Sequence, residues 1–190
     1  SFNKYKFFTF VLFFYIIYCF KEYYSIKEGF SRMDELDKNI LNILQENSDV
    51  SLSNLSRRIG ISKTPCWNRI RRMEENGIIT KQATILNRYA IGLPIVVFLS
   101  ISVGQHSPEW TAKFDKLVHS HPEIVEAHRL TGSGADYLLK IVSPTIESYD
   151  IFQQSLISNI EFTSMSSSVS LQEIKYNTSF PLELEAQKID

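Results

Sequence analysis

Residues 53–77, SNLSRRIGISKTPCWNRIRRMEENG, constrain the fold more than any other stretch of the chain. Six cations fall in it: Arg57, Arg58, Lys63, Arg69, Arg71 and Arg72. No acidic residue lies between Asp49 and Glu74. Apolar residues keep helical spacing on both sides of Gly60, with Leu55 and Ile59 on one face before it and Cys66, Ile70 and Met73 on another after it. Gly60 suits the left-handed cap of a first helix. Ser62 suits the N-cap of a second, with Pro65 inside its first turn. Two short helices joined by such a turn, the second dense in arginine, form the helix-turn-helix pattern that reads DNA. The alternative is an ordinary helical hairpin with a solvated basic face, but turn, caps and charge all favour the first reading.

The charge balance separates two regions. Residues 33–92 carry nine basic and seven acidic side chains, a net +2, whereas residues 93–190 carry six basic and twelve acidic ones, a net −6. A basic module joined to an acidic one fits DNA binding in one half and a different task in the other. Two cysteines, Cys19 and Cys66, give neither a metal spacing nor a disulfide framework. Cys66 reads as a small buried apolar residue, which suits a reducing, cytoplasmic setting.

Residues 1–32 form an apolar N-terminal extension. The run from Phe7 to Phe20, broken only by Thr9, is shorter than the roughly 20 residues a spanning helix needs. Its Phe, Tyr, Ile and Lys content is what A/T-rich codons encode, and Met33 sits just before an orderly helix. The expectation is therefore that 1–32 is translated upstream sequence and the natural start is Met33. The rival reading is a membrane anchor, which would make the chain a membrane-anchored DNA-binding sensor.

From Met33 onward the pattern gives a first helix over 34–46, with Leu36, Ile40, Leu41 and Leu44 in one stripe and Asp34, Glu35 and Asp37 at its positive end. Ser51 or Ser53 caps the second helix. After the third, Asn76-Gly77 stops the run, and 78–86 reads as a short β-ribbon with Lys81 near its tip. Residues 88–94 form the hinge between a winged helix-turn-helix domain at 33–92 and a second domain at 93–190. In the second domain strands are expected at 95–103, 123–131, 136–142 and 165–176. Helices are expected at 108–120, through Trp110, Phe114, Leu117 and Val118, and at 145–158, through Ile146, Tyr149, Phe152 and Leu156. The order βαββαβ is that of a ferredoxin-like sandwich, so the chain as a whole is α+β. One sheet face then stays uncovered, which favours a homo-oligomer.

The segments LDKNILNILQENSDVSLSNLSRRIGISKTPCWNRIRRMEENGII and TGSGADYLLKIVSP resemble the leucine-responsive regulatory protein (Lrp/AsnC) family from Met33 to about Tyr176. The resemblance implies a transcription regulator whose winged helix-turn-helix binds DNA. Its βαββαβ domain dimerises and often binds an amino acid between dimers. The expected partners are thus double-stranded DNA, an amino-acid effector and further copies of the chain, as a homodimer open to assembly into an octamer. A DNA-compacting protein without effector is the remaining alternative.

The 3.6-residue period leaves Lys63, Thr64, Trp67, Asn68 and Arg71 facing outward. Lys63, Thr64 and Asn68 are expected near base edges, and Trp67 either on a thymine methyl or packed on the first helix. Ser62, Arg57, Arg58, Arg69 and Arg72 are expected on phosphates, with Lys81 beside them. Gly132, Ser133 and Gly134 offer backbone N–H groups for a carboxylate, and Asp136 offers an acceptor for an ammonium. The family pattern at this place is Gly-x-x-Asp, from which this loop departs by one residue. Resemblance assigns Ser167, Ser168 and Ser170 to the same pocket. His106, His119, His121 and His128 share no ligand spacing, and Ser, Cys and His form no nucleophile arrangement. Neither a metal, a cofactor nor catalysis is expected.

Overall fold

The computed structural model describes residues 33–132 and 134–183. The expectations for residues 1–32 and for Ser133 lie outside the described residues. Contacts divide the chain into two units: residues 33–84 together with 177–183, and residues 85–176.

The first unit holds α1 (Glu35–Glu46), α2 (Leu52–Ile59) and α3 (Lys63–Glu75). Asp34 caps α1: its carboxylate accepts the Asp37 N–H, and the Asp37 carboxylate accepts the Asp34 N–H in return. Of the two serines expected to cap α2, Ser51 does so, accepting the Asn54 N–H. Gly60 closes α2 at φ 80°. Its N–H and that of Ile61 reach back to the carbonyls of Arg57 and Ser56, so a side chain there would be strained. The core is Ile40, Leu41, Leu55, Cys66 and Met73, with Ile70, Ile78 and Leu182 packed against it.

Three expectations change here. The ribbon over 78–86 does not form among the described residues. Ile78 and Ile79 both donate to the Met73 carbonyl and close α3, and the segment after them pairs with no strand among the described residues. Lys81 therefore sits on an exposed segment without regular secondary structure, not at a wing tip. Residues 177–183, expected with the second domain, pack with the first unit.

The second unit is a four-stranded antiparallel sheet in the order β2-β3-β1-β4: β1 (Ile95–Ser102), β2 (Ile124–Arg129), β3 (Tyr137–Ser143) and β4 (Ser164–Val169). Two helices, α4 (Pro108–Ser120) and α5 (Ile146–Asn159), complete it. Val97, Leu99 and Ile101 of β1 and Tyr137, Leu139 and Ile141 of β3 alternate onto one face. There they meet Phe114, Tyr149, Phe152 and Leu156 of the helices. Ile146, expected on the inner face of α5, is exposed: it is the first residue of the helix, and burial begins at Tyr149 and continues through Phe152 and Leu156. A bulge at Val125 separates the pairs Ile124–Ile141 and Glu126–Lys140, with Ile124 packed against the core and Val125 exposed. β4 ends at Val169, not near 176. Its partner β1 starts at Ile95 behind Pro94, so after Ser170 N–H donates to the Val96 carbonyl the ladder has nothing left to pair with.

Candidate nucleic-acid interface and effector loop

In α3 the residue spacing separates core from surface as expected. Cys66 and Met73 are buried and Ile70 partly so; Lys63, Thr64, Trp67, Asn68 and Arg71 are exposed. Burial pushes the Cys66 thiol up from its ordinary range, so it is an apolar filler, not a reactive thiolate. Ser62 occupies the N-cap position, but its hydroxyl caps no N–H. Pro65, at the third position of α3, has no N–H for it to accept, and the exposed first turn keeps the N–H groups of Lys63 and Thr64 without a side-chain cap. Trp67 is 51% exposed, with the Arg71 guanidinium 5.7 Å from its ring centre.

The six cations divide into two groups. Arg57, Arg58 and Lys63 are exposed and have no ion pair among the described residues, and Arg71 makes only loose contacts of 3.6 Å and 3.8 Å to Glu74 and Glu75. Arg69 and Arg72 turn the other way. Arg69 reaches Asp34 at 2.7 Å and Asp37 at 2.8 Å, and Arg72 reaches Asp37 at 2.6 Å. Asp37 is 0% exposed. A buried carboxylate without partners would be costly, and these two guanidiniums supply them. The hydrogen bonds to Asp37 and Asp34 hold the Arg69 pKa above its ordinary value. The Asp37 N–H, seconded by Arg69, holds the Asp34 carboxyl below the usual aspartate range. Arg69 and Arg72, expected on phosphates, are thus first of all the bolts that fix α3 to α1. Spacing within α3 carries no sign of this, because the partners lie 32 to 35 residues away.

In the second unit the loop between β2 and β3 is closed at its base by Leu130 N–H to the Asp136 carbonyl and by Asp136 N–H to the Ile101 carbonyl, both 2.8 Å. Gly132 and Gly134 have φ near 130°, which orients backbone groups as few other residues could. Asp136 does more than face outward. One carboxylate oxygen accepts the Val103 N–H at 2.7 Å and the other stands 3.3 Å from His106 Nε2. His106, which sequence reasoning set aside, packs on Tyr137 and edge-on to Trp110. A groove of about 590 Å³ runs between α4 and β2, lined by Phe114, Val118, His121, Ile124, His128 and Tyr137 among others. Arg129 and Tyr137, the register pair at the foot of the loop, also line it.

Ser167, Ser168 and Ser170 are not gathered at this loop. Register sets Ser168 opposite Phe98, four residues or about 13 Å along β1 from Ser102. Level with the loop instead are Ser164, opposite Ser102, and Thr163, whose N–H donates to the Ser102 carbonyl. Ser167 has a partner elsewhere: its hydroxyl lies 2.6 Å from that of buried Tyr149. Among the described residues no group of three or more His, Cys, Asp or Glu is placed to hold a metal ion, and no helix is long and apolar enough to cross a membrane.

Residues 33–80 match the family model for winged helix-turn-helix DNA-binding, and residues 96–180 match that for the Lrp/AsnC ligand binding domain. The glutamate uptake regulatory protein of Zymomonas mobilis is 36% identical over 159 residues, covering 84% of this chain and 96% of that protein. A solved AsnC family transcriptional regulator from Agrobacterium tumefaciens shares 42% identity with a TM-score of 0.76, covering 79% of this chain and 97% of its own. A transcriptional regulator from Neisseria meningitidis, solved as a complex with L-methionine, shares 31% identity with a TM-score of 0.75, covering 80% and 97%.

Proposed function

The chain belongs to the Lrp/AsnC family of transcription regulators, and from that premise we propose how it uses its two units. Helix α3 enters the major groove of double-stranded DNA by its N-terminal turn, with Lys63, Thr64 and Asn68 at base edges and Trp67 beside them. Arg57, Arg58, Ser62 and Arg71 take phosphates, and Lys81 trails along the backbone. The observation that carries this reading is the division of the arginines. Of the six cations of α2 and α3, Arg57, Arg58 and Lys63 are exposed with no ion pair among the described residues, whereas Arg69 and Arg72 are held by Asp34 and Asp37.

An amino acid bound at the loop 131–136 is the regulatory ligand. The backbone N–H groups around Gly132 and Gly134 take its carboxylate. Its ammonium competes with His106 for Asp136. A second copy of the chain covers the sheet face that carries Phe98, Leu138 and Val142, opposite the helices, and the assembly works in the cytoplasm on the nucleoid. The test is a gel-shift titration on the DNA upstream of the protein's own coding sequence, with and without a pool of amino acids. A shift that the pool alters supports both halves. Binding that ignores the pool contradicts the effector role of the Asp136 loop, and no sequence-selective binding contradicts the whole reading.

A further inference from the structure

The last described residues of the chain pack with the first unit. Asn177 turns the chain, its side-chain oxygen accepting the Ser179 N–H at 2.9 Å. Pro181 then restricts Phe180 to an extended conformation, leaving its N–H and C=O side by side and free of helix or ladder. Gln45, in the last turn of α1, takes both: its Oε1 accepts the Phe180 N–H at 2.8 Å and its Nε2 donates to the Phe180 carbonyl at 2.9 Å. A primary amide offers donor and acceptor in one plane, so the Gln45 side chain stands in for a strand's peptide group. The Ser179 hydroxyl donates to the Gln45 carbonyl at 3.3 Å, one of the carbonyls that a helix end leaves without an internal partner. Two residues on, Leu182 packs against the core formed by Ile40, Leu41, Leu55, Cys66 and Met73. A turn, a backbone clamp and an apolar anchor in seven residues make a docked segment, not a trailing end.

The consequence lies in the connectivity. The chain leaves the first unit at residues 84–85 and re-enters it at 176–177, so two covalent joins link the units. Only residues 170–176 separate β4 from the docked segment. We propose that residues 177–183 are a strap that fastens to α1 and makes the first unit's grip on DNA depend on the C-terminal unit. The proposal rests on the DNA-binding reading above. Loss of the strap removes a restraint on the unit that carries α3, while removing no group that touches phosphate.

The experiment uses the full chain and the variants Gln45→Ala and Leu182→Asp. Hydrogen exchange followed by mass spectrometry reads the docking, and DNA affinity across a salt series reads its effect. Exchange of the amides in the last turn of α1 and at Phe180 is expected to quicken about tenfold in Gln45→Ala. Affinity for the upstream duplex should fall about threefold or more in either variant, through lost preorganisation. The slope of affinity against salt should stay unchanged, since that slope counts phosphate contacts. Unchanged exchange in both variants, with DNA binding intact, would overturn the strap alone. Quickened exchange with unchanged affinity would overturn its effect on DNA. Protection that vanishes on dilution would assign the segment to a second copy and overturn a strap within the chain. A wild-type chain that binds no DNA would instead overturn the function proposed above, and the dependence claimed here with it.

Discussion

Helix α3 and the β2–β3 loop solve the problem of presenting polar groups in opposite ways. In α3 one helix carries both sets of residues. The 3.6-residue period turns Cys66, Ile70 and Met73 inward and sets Lys63, Thr64, Trp67 and Asn68 outward on a rigid rod. At the loop no single element decides anything. Asp136 is positioned by a backbone N–H from Val103 and a carbonyl from Ile101, more than thirty residues earlier, and His106 arrives from a third segment. A surface built on one helix keeps its shape when any one exposed side chain is lost. A site built from converging loops depends on each fastening.

Substitutions can break that comparison. The largest effect should come from Asp37→Ala. It leaves Arg69 and Arg72 without their buried acceptor, and unit-level stability should drop by about 3 kcal/mol, near the low end for breaking a buried pair because Arg72 stays half exposed. Thermal unfolding measures it; a loss under 1 kcal/mol would mean that the three charges are merely adjacent. Asp136→Ala comes next. The Val103 N–H loses its acceptor, and about 1–2 kcal/mol should be lost together with the loop's alignment on β1, read by unfolding and by the methyl and amide NMR shifts of Val103. If those shifts hold still, the loop is fastened by its backbone alone. Third, Arg57→Ala and Arg58→Ala should each lower the slope of log affinity against log salt by about one, with folding untouched. An unaltered slope would remove them from the DNA face.

The smallest effect is a pH dependence. The Asp34 carboxyl titrates lower in the folded chain than in the unfolded one, chiefly because the Asp37 N–H donates to it. The unfolded state therefore binds the proton more readily. Asp34's contribution is fully present above the ordinary aspartate value of about 3.9 and is lost as pH falls through the lower folded value. Asp34→Asn should flatten the acid limb of the stability curve in that window. An identical limb would assign the acid sensitivity to other carboxylates.

What could be read in advance follows the same division. Gly60 and Ser62 marked the turn, and the Cys66–Ile70–Met73 and Tyr149–Phe152–Leu156 stripes marked the faces, because each signal is contained within a few residues of chain. The Asp37–Arg69–Arg72 cluster and the Gln45–Phe180 clamp were not legible, since their partners lie from 32 to 135 residues apart and neither residue type announces its choice. β-Propensity overran both before the sheet and at its end. Residues 78–86 look strand-like but have no neighbour to pair with, and β4 stops at Val169 because β1 begins behind a proline. The serines of β4 illustrate the limit best: resemblance assigns them to the pocket, whereas register spreads them along a sheet edge away from the loop.

The central claim is that the outer face of α3 reads base edges. Its most direct test is the affinity of wild type and Lys63→Ala for the upstream duplex and for an unrelated duplex, at matched salt. Loss of a base contact should cost the variant about 1–3 kcal/mol on the specific site and clearly less on the unrelated one. Equal losses on both would make Lys63 a phosphate contact and contradict the account.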